Sequence, residues 1–315
     1  MRFCIGEEWD GLCVRRILQA ELHFSTKMIK YLKYRPDGIC VNGQRCTVRR
    51  ILKTGDVLDL QTEDPTSSPA LLPRDLPLEI LYEDEDIVVP SKTADMPTHP
   101  SHGHWEDTVA NALAFRYANG DSPFVFRPIN RLDRNTSGLL LIARNKHSAG
   151  KLSRALQARE IQKTYLAVLD GELSTPSGYI DFPLHRTEES IIVREVCSPD
   201  APDADASLTK YEVLAAENGH TLVRAYPLTG RTHQLRVHFS AIGHPITGDD
   251  LYGTPSPLIP RHALHAYRLS FPHPSTGERL TVTAPLSEDM KQLINASFSP
   301  SVREMAENGN GETYE

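Results

Sequence analysis

The passage Asn130-Arg131-Leu132-Asp133-Arg134-Asn135-Thr136-Ser137-Gly138-Leu139-Leu140-Leu141 constrains this chain most, because a charged turn there runs straight into an apolar run. Unbroken apolarity over residues 139–143 predicts a buried strand, which anchors the turn before it. A charged loop held by a rigid strand is a good place for chemistry. Arg131 and Arg134 flank Asp133 and offer its carboxylate cationic partners. Taken alone, Arg-Leu-Asp-Arg reads as a surface ion pair capping a turn. Twelve consecutive residues of this character ask for more.

A chain of 315 residues is long enough for two domains. No apolar run approaches the ~20 residues needed to span a membrane. The N-terminus turns acidic at Glu7-Glu8 before any signal-type stretch forms, so a cytoplasmic location is expected. The five cysteines, Cys4, Cys13, Cys40, Cys46 and Cys197, show no Cys-x-x-Cys spacing. They indicate neither a disulfide framework nor a cysteine zinc site. The net charge of −7 argues against nucleic acid as a partner, but the charge is unevenly placed. Residues 1–60 hold 11 Lys and Arg against 7 Asp and Glu, or +4; the other 255 residues hold 23 against 34, or −11. A small basic module on an acidic body suits RNA contact better than the total suggests.

The first 62 residues read as a compact α/β unit. Helices are predicted over residues 14–22 and 25–34, the second capped by Ser25 and carrying Lys27, Lys30 and Lys33 on one face. Strands follow over 39–41 and 57–60, with Asn42-Gly43 as a turn. Residues 63–77 are Pro-rich and read as an extended linker. Residues 78–296 form the main body. There a hairpin spans 78–90, helices 108–117, 148–158 and 232–241, and strands 139–143, 164–169 and 221–226. Strand-rich segments with few helices predict an α+β fold around a mainly antiparallel sheet flanked by helices. Residues 297–315 are polar and expected to be disordered.

The N-terminal unit resembles the S4 RNA-binding domain. The resemblance rests on Val14-Arg15-x-Ile17-Leu18, Ser25-x-x-x-Ile29-Lys30, Val41-Asn42-Gly43 and Thr54-Gly55-Asp56-Val57-Leu58. In the body, three segments join the Asp133 motif: Lys163-Thr164-Tyr165, Gly230-Arg231-Thr232-His233-Gln234-Leu235-Arg236-Val237-His238, and Gly243-His244-Pro245-Ile246-Thr247-Gly248-Asp249-Asp250-Leu251-Tyr252-Gly253. In this order, behind an S4-like segment, they resemble the RluA family of pseudouridine synthases over most of residues 78–290. Leu264-His265-Ala266 and His273-Pro274 agree with the family's C-terminal part.

The resemblance implies an RNA-modifying isomerase of a known chemistry. The bond from uracil N1 to ribose C1′ breaks, the base rotates, and C5 bonds to C1′. No redox step occurs, so no cofactor and no metal are implied. One ionised carboxylate is the minimum equipment, either attacking C1′ or taking the 2′ proton to give a glycal. By resemblance that carboxylate is Asp133. Arg236 is the arginine paired with it, and a structural pair of Arg236 with Asp249 or Asp250 is the competing reading. Tyr165 is the tyrosine whose ring stacks on uracil and whose hydroxyl can take the C5 proton. Arg131 occupies the space left by the flipped base, while Arg134, Arg231 and His233 contact RNA beside it. Two positions depart from the family pattern: Asn130 stands where a His is usual, and Pro90-Ser91-Lys92-Thr93 replaces Asn-Lys-Pro.

The expected partner is RNA, with large-subunit rRNA ahead of tRNA, and the chain is expected to act as a monomer. A catalytically silent RNA-binding or ribosome-assembly factor is the rival from another class. A glycoside hydrolase would need a second carboxylate motif, which the sequence lacks. His99-x-x-His102-x-His104 has a spacing that suits a metal, but it also aligns with a family loop, which is the preferred reading.

Overall fold

The computed structural model describes residues 1–308 except 23, 25, 36, 63–70, 121–123, 188–189, 191 and 202, and the side chains of 27, 307 and 308. Residues 1–62 carry their own small sheet of β1 (Arg2–Cys4), β2 (Ile39–Val41), β3 (Gln44–Arg45) and β4 (Val57–Leu60), in the order β1-β4-β2-β3. Asn42 and Gly43 both have positive φ, 52° and 76°, as the two-residue β2–β3 hairpin requires. Against this sheet lie α1 (Val14–Arg16) and α2 (Thr26–Tyr34). The predicted helix over 14–22 is interrupted: after α1 the chain widens into a π-type turn over Ile17–Glu21. Val14, Ile17, Leu18, Leu32, Leu52 and Leu58 are fully buried and make a core separate from the rest of the chain. The expected cap Ser25 lies outside the described residues.

The described half of the Pro-rich segment is not a free linker. Leu71, Leu76 and Leu78 pack on the main core, and the Asn111 side chain donates to the Leu72 carbonyl at 2.7 Å. Arg74 N–H bonds Asn111 O at 3.1 Å, so residues 71–77 form a strap over α3 (Val109–Arg116). Extended, Pro-rich backbone has no internal partners, and here it finds them on a neighbour.

The main body is one ten-stranded sheet. Its strands are β5 (Glu79–Glu83), β6 (Ile87–Lys92), β7 (Ser137–Leu139), β8 (Ile142–Ala143), β9 (Gln162–Asp170), β10 (Ser177–Ile180), β13 (Thr209–Glu217), β14 (His220–Pro227), β15 (Leu264–Pro272) and β16 (Arg279–Thr283). A side hairpin, β11 (Leu184–Arg186) with β12 (Arg194–Val196), projects from it. The order is β10-β13-β14-β9-β15-β7-β6-β5, with β16 beside β15 and β8 beside β6. Among the described residues, only β15 and β7 pair in parallel.

The predicted strand over 139–143 is split into β7 and β8, yet every residue in it is fully buried. Alternation explains why. Leu139, Leu141 and Ala143 face one core with α4 (Lys146–Gln157), while Leu140 and Ile142 face the other. That second core also takes α3, α5 (Gln234–Ala241) and α6 (Glu288–Ser297). Gly138 is dictated by the β7–β15 contact: its φ is 106°, and a Cβ there would lie 2.2 Å from the Ala266 carbonyl oxygen.

The disorder expected from residue 297 is corrected for residues 300–308, which form α7 (Pro300–Asn308). Val302 and Ala306, one helical turn apart, join the core at 5% and 2% exposure. Ser299 anchors the helix start through its N–H and hydroxyl on Glu217, at 2.7 and 3.0 Å. Val302, Met305 and Ala306 cover a single turn of a polar stretch, too short a run to establish a helical period. Residues 309–315 lie outside the described part.

Candidate active site

The loop of residues 130–136 is pinned to the protein at five places. Asn130 Oδ1 accepts from Leu141 N–H at 2.7 Å, and its Nδ2 donates to Leu139 O at 3.3 Å. The buried Thr98 hydroxyl bridges Leu132 N–H and C=O, at 3.2 and 3.0 Å. Lys92 Nζ donates to the carbonyls of Arg134 and Thr93, both at 2.8 Å. Arg261 Nη1 donates to Asn135 O at 2.9 Å, and His262 Nε2 meets Thr136 Oγ1 at 2.9 Å. A net ~1 kcal/mol for each such bond is enough to order this short turn. Asp133 is the carboxylate this scaffold leaves facing the cleft.

The cleft measures about 470 Å³ and is lined by Asp133, Arg131, Tyr165, Lys163, His233 and Arg236, among others. Tyr165 comes from β9, where its neighbours across the sheet are Ala225 and Ala266, small residues that leave room beside the ring. Burial first, then the Asp133 charge, raises the Tyr165 hydroxyl above its usual pKa, so it stays a phenol. Burial alone lowers the Lys163 ammonium.

Arg236 sits on α5 and is 4% exposed. Its Nε and Nη2 grip the fully buried Asp249 at 2.6 and 2.7 Å, while Nη1 faces Asp133 Oδ2 at 3.7 Å. Arg236 therefore faces the carboxylates of both sequence readings. The bidentate pair is with Asp249, and the remaining nitrogen looks at Asp133. Burial works against both charges of the inner pair. Their mutual hydrogen bonds win, leaving Arg236 raised and Asp249 lowered from their ordinary values. Arg131 and Arg134, the sequence neighbours of Asp133, are not the cations that approach it. Among the described residues, the basic side chains within 4 Å of its carboxylate are Arg236 and His233.

His233 immediately precedes α5 with φ 57°, so the helix begins at Gln234, later than the predicted residue 232. Gln234 Oε1 takes the Thr229 hydroxyl and Arg231 N–H at 2.7 and 3.0 Å, fixing this turn. His233 Nδ1 meets Tyr252 Oη at 2.8 Å, and Nε2 lies 3.9 Å from Asp133 Oδ2. Burial lowers its pKa, against Asp133 and together with Arg236. Lys92 is 1% exposed, and its ammonium is lowered to about 7, by burial first and then by Arg261. Burial, then Arg236, brings His262 down to about 3.

The other predicted contacts are placed as follows. Arg131 is exposed on the cleft wall. Arg134 turns away to Asp95, Nε to Oδ1 2.7 Å. Arg231 lines the cleft while holding Asp205 at 3.0 Å and Ala206 O at 3.1 Å. Lys30 and Lys33 are exposed on α2 and do not line this cleft; the side chain of Lys27 lies outside the described residues. His99 lines the cleft, whereas His104 pairs with Asp107 at 2.5 Å. Among the described residues no three His, Cys, Asp or Glu side chains converge as metal ligands. Sequence reasoning did not single out Thr98, Arg261 or His262, whose partners lie far away along the chain. Tyr252 was visible only as part of its Gly-punctuated motif.

The family model for RNA pseudouridylate synthase matches residues 86–241, which hold Asp133, Tyr165 and Arg236. The RNA pseudouridine synthase YjbO of Bacillus subtilis is 37% identical over 274 residues, 87% of this chain and 95% of that protein. The ribosomal large subunit pseudouridine synthase D of Vibrio cholerae is 36% identical over 82% of each chain. The structure of human RNA pseudouridylate synthase domain containing 1 is similar with a TM-score of 0.55 and 32% identity, over 67% of this chain and 84% of that one. Human domain containing 4, at TM-score 0.58 and 23% identity over 70% and 94% of the chains, shares the fold. Since the identity spans nearly the full length of such relatives, the chain belongs to the RNA pseudouridylate synthase family and is a pseudouridine synthase.

Proposed function

We propose that this enzyme is an RluA-type synthase that isomerises specific uridines in large-subunit ribosomal RNA. Asp133 is its reacting carboxylate, which attacks C1′ or takes the 2′ proton. The observation that carries the reading is the presentation of one carboxylate into the cleft by an otherwise tied-down loop, opposite Arg236 and in the same cleft as Tyr165. Arg236, itself held by Asp249, keeps a fixed positive charge beside Asp133. Tyr165 stacks on the flipped uracil and, as a phenol, can relay the C5 proton at the end. Arg131 fills the space the base leaves, which offsets part of the few kcal/mol that flipping costs.

Residues 1–62 are proposed as an S4-like module that holds phosphates through Lys27, Lys30 and Lys33, while Arg134, Arg231 and His233 contribute RNA contacts at the cleft. The relatives named as large-subunit synthases, in Vibrio cholerae and Nitrosomonas europaea among others, support rRNA as the substrate. The test is a pseudouridine map of total RNA from a strain lacking the gene, before and after incubation with the protein. A site restored in large-subunit rRNA by the native enzyme but not by Asp133→Asn supports the reading. A site restored only in tRNA overturns the substrate, and full activity of Asp133→Asn overturns the mechanism.

A further inference from the structure

Two polar side chains stand behind Asp133, first His233 and then Tyr252, and the second has its hydrogen-bonding choices nearly exhausted. Tyr252 is fixed along its whole length. Its N–H and that of Leu251 donate to Asp249 Oδ1 at 3.1 and 3.0 Å. Its carbonyl accepts from Ser240 Oγ at 2.7 Å, and the Arg236 guanidinium carbon lies 5.1 Å from its ring centroid. At the far end, Tyr252 Oη accepts the Arg194 backbone N–H at 2.9 Å and contacts His233 Nδ1 at 2.8 Å. A phenol oxygen has one good in-plane lone pair and one O–H. Arg194, at the start of β12, takes the lone pair, so the O–H is left for His233.

We propose that Tyr252 and His233 form a positioning relay for Asp133: Tyr252 Oη–H donates to His233 Nδ1, which fixes the imidazole tautomer whose Nε2–H faces the Asp133 carboxylate. This rests on Asp133 being the reacting carboxylate. The groups around the imidazole are Asp133, Arg236, Asp249, Arg194, Tyr252 and His262. Two arginines and a desolvated setting favour a neutral ring, and a neutral ring has two tautomers. The wrong one would aim a lone pair at the carboxylate. The right one points a neutral N–H dipole at Asp133 Oδ2, 3.9 Å away, without adding a second charge next to Arg236. The left-handed backbone of His233 fits this role. Such a conformation in a non-glycine residue costs about 1 kcal/mol or more, and persists when neighbours over-determine it. The relay also ties the β11–β12 hairpin to the reacting centre, because the hairpin's own backbone sets the direction of the Tyr252 hydroxyl.

The experiment uses the full-length protein. Single-turnover pseudouridine formation is measured on total RNA from a strain lacking the gene, at the site the native enzyme modifies. Tyr252→Phe is expected to slow the reaction about tenfold, the loss of roughly one hydrogen bond, with RNA affinity within about twofold. His233→Gln, whose amide can still present an N–H, is expected to retain more activity than His233→Ala. In the His233→Gln background, Tyr252→Phe is expected to add nothing, since no tautomer remains to be fixed. Nitrogen-15 histidine spectra of the native protein, assigned by His233→Gln, should show Nδ1 bare and Nε2 protonated. An equal slowing by Tyr252→Phe in both backgrounds, a native rate in Tyr252→Phe, or a protonated Nδ1 in the native spectrum overturns the relay. Those results leave the role of Asp133 standing if Asp133→Asn is dead. An active Asp133→Asn removes the foundation instead.

Discussion

The N-terminal unit and the cleft of the main body both carry cationic side chains, but they use them in opposite ways. On α2, Lys30 and Lys33 are exposed, and the helix buries Met28, Ile29 and Leu32 on its other face. In the cleft wall and behind its 130–136 loop, Arg236, Lys92 and Arg261 are 4%, 1% and 5% exposed, and each is consumed by carboxylates or carbonyls. Exposed cations act through a field that salt screens. Buried cations act through fixed geometry, and their removal leaves a partner stranded. One region is therefore suited to finding a polyanion, and the other to holding a single carboxylate in place.

The largest effect that tests this contrast is on chemistry. Asp133→Asn keeps the loop's shape and removes the charge, and is expected to reduce single-turnover isomerisation by more than about a thousandfold. RNA affinity should stay within about twofold, as read by filter binding. If binding fell with the rate, the division of labour would be broken.

Next comes the inner pair. Asp249→Ala strands a buried guanidinium and frees the Leu251–Tyr252 loop. It should cost about 3–5 kcal/mol in urea unfolding. The double replacement of Lys30 and Lys33 by Ala should cost less than about 0.5 kcal/mol by the same measurement.

The buried histidines sharpen the contrast through pH. His262 and His265 are pushed down to about 3 and 4, in both cases chiefly by burial. Below the unfolded value of 6.5 the unfolded chain takes up protons that the folded one refuses. Stability is therefore present above pH 6.5 and is lost as pH falls toward the folded values. From pH 7.5 to 5.5 each should contribute a loss of about 1.4 kcal/mol. His265→Gln should flatten that part of the stability profile, and an unchanged slope would contradict the burial argument.

The smallest effect belongs to the exposed lysines. Lys30→Ala with Lys33→Ala is expected to weaken RNA binding several-fold and to lower the slope of log affinity against log salt by about 1 to 2. The single-turnover rate at saturating RNA should not change. An unaltered salt slope would remove the N-terminal unit from RNA capture.

Local pattern made much of this molecule legible. Residues 39–41 and 57–60 are strands, and Asn42-Gly43 turns the chain, because period and turn chemistry are properties of a few adjacent residues. The order of the four motifs carried the family and the composition of the cleft. Asn130 was legible only as a departure from a pattern. Its amide proves to be tied to the backbone of Leu139 and Leu141, which explains why a short amide side chain fits there.

What the sequence by itself determined is where several of the helices and strands lie, that Asp133 stands on a charged turn beside a buried strand, and which segments bring the companion side chains. What only the tertiary structure decided is which groups face one another. Arg236 rather than Arg131 or Arg134 approaches Asp133, Tyr252 stands behind His233, and α7 forms where polarity predicted disorder. Those outcomes depend on the burial of groups brought together from distant parts of the chain. Desolvation and fixed hydrogen-bond geometry then select among partners that sequence proximity cannot rank.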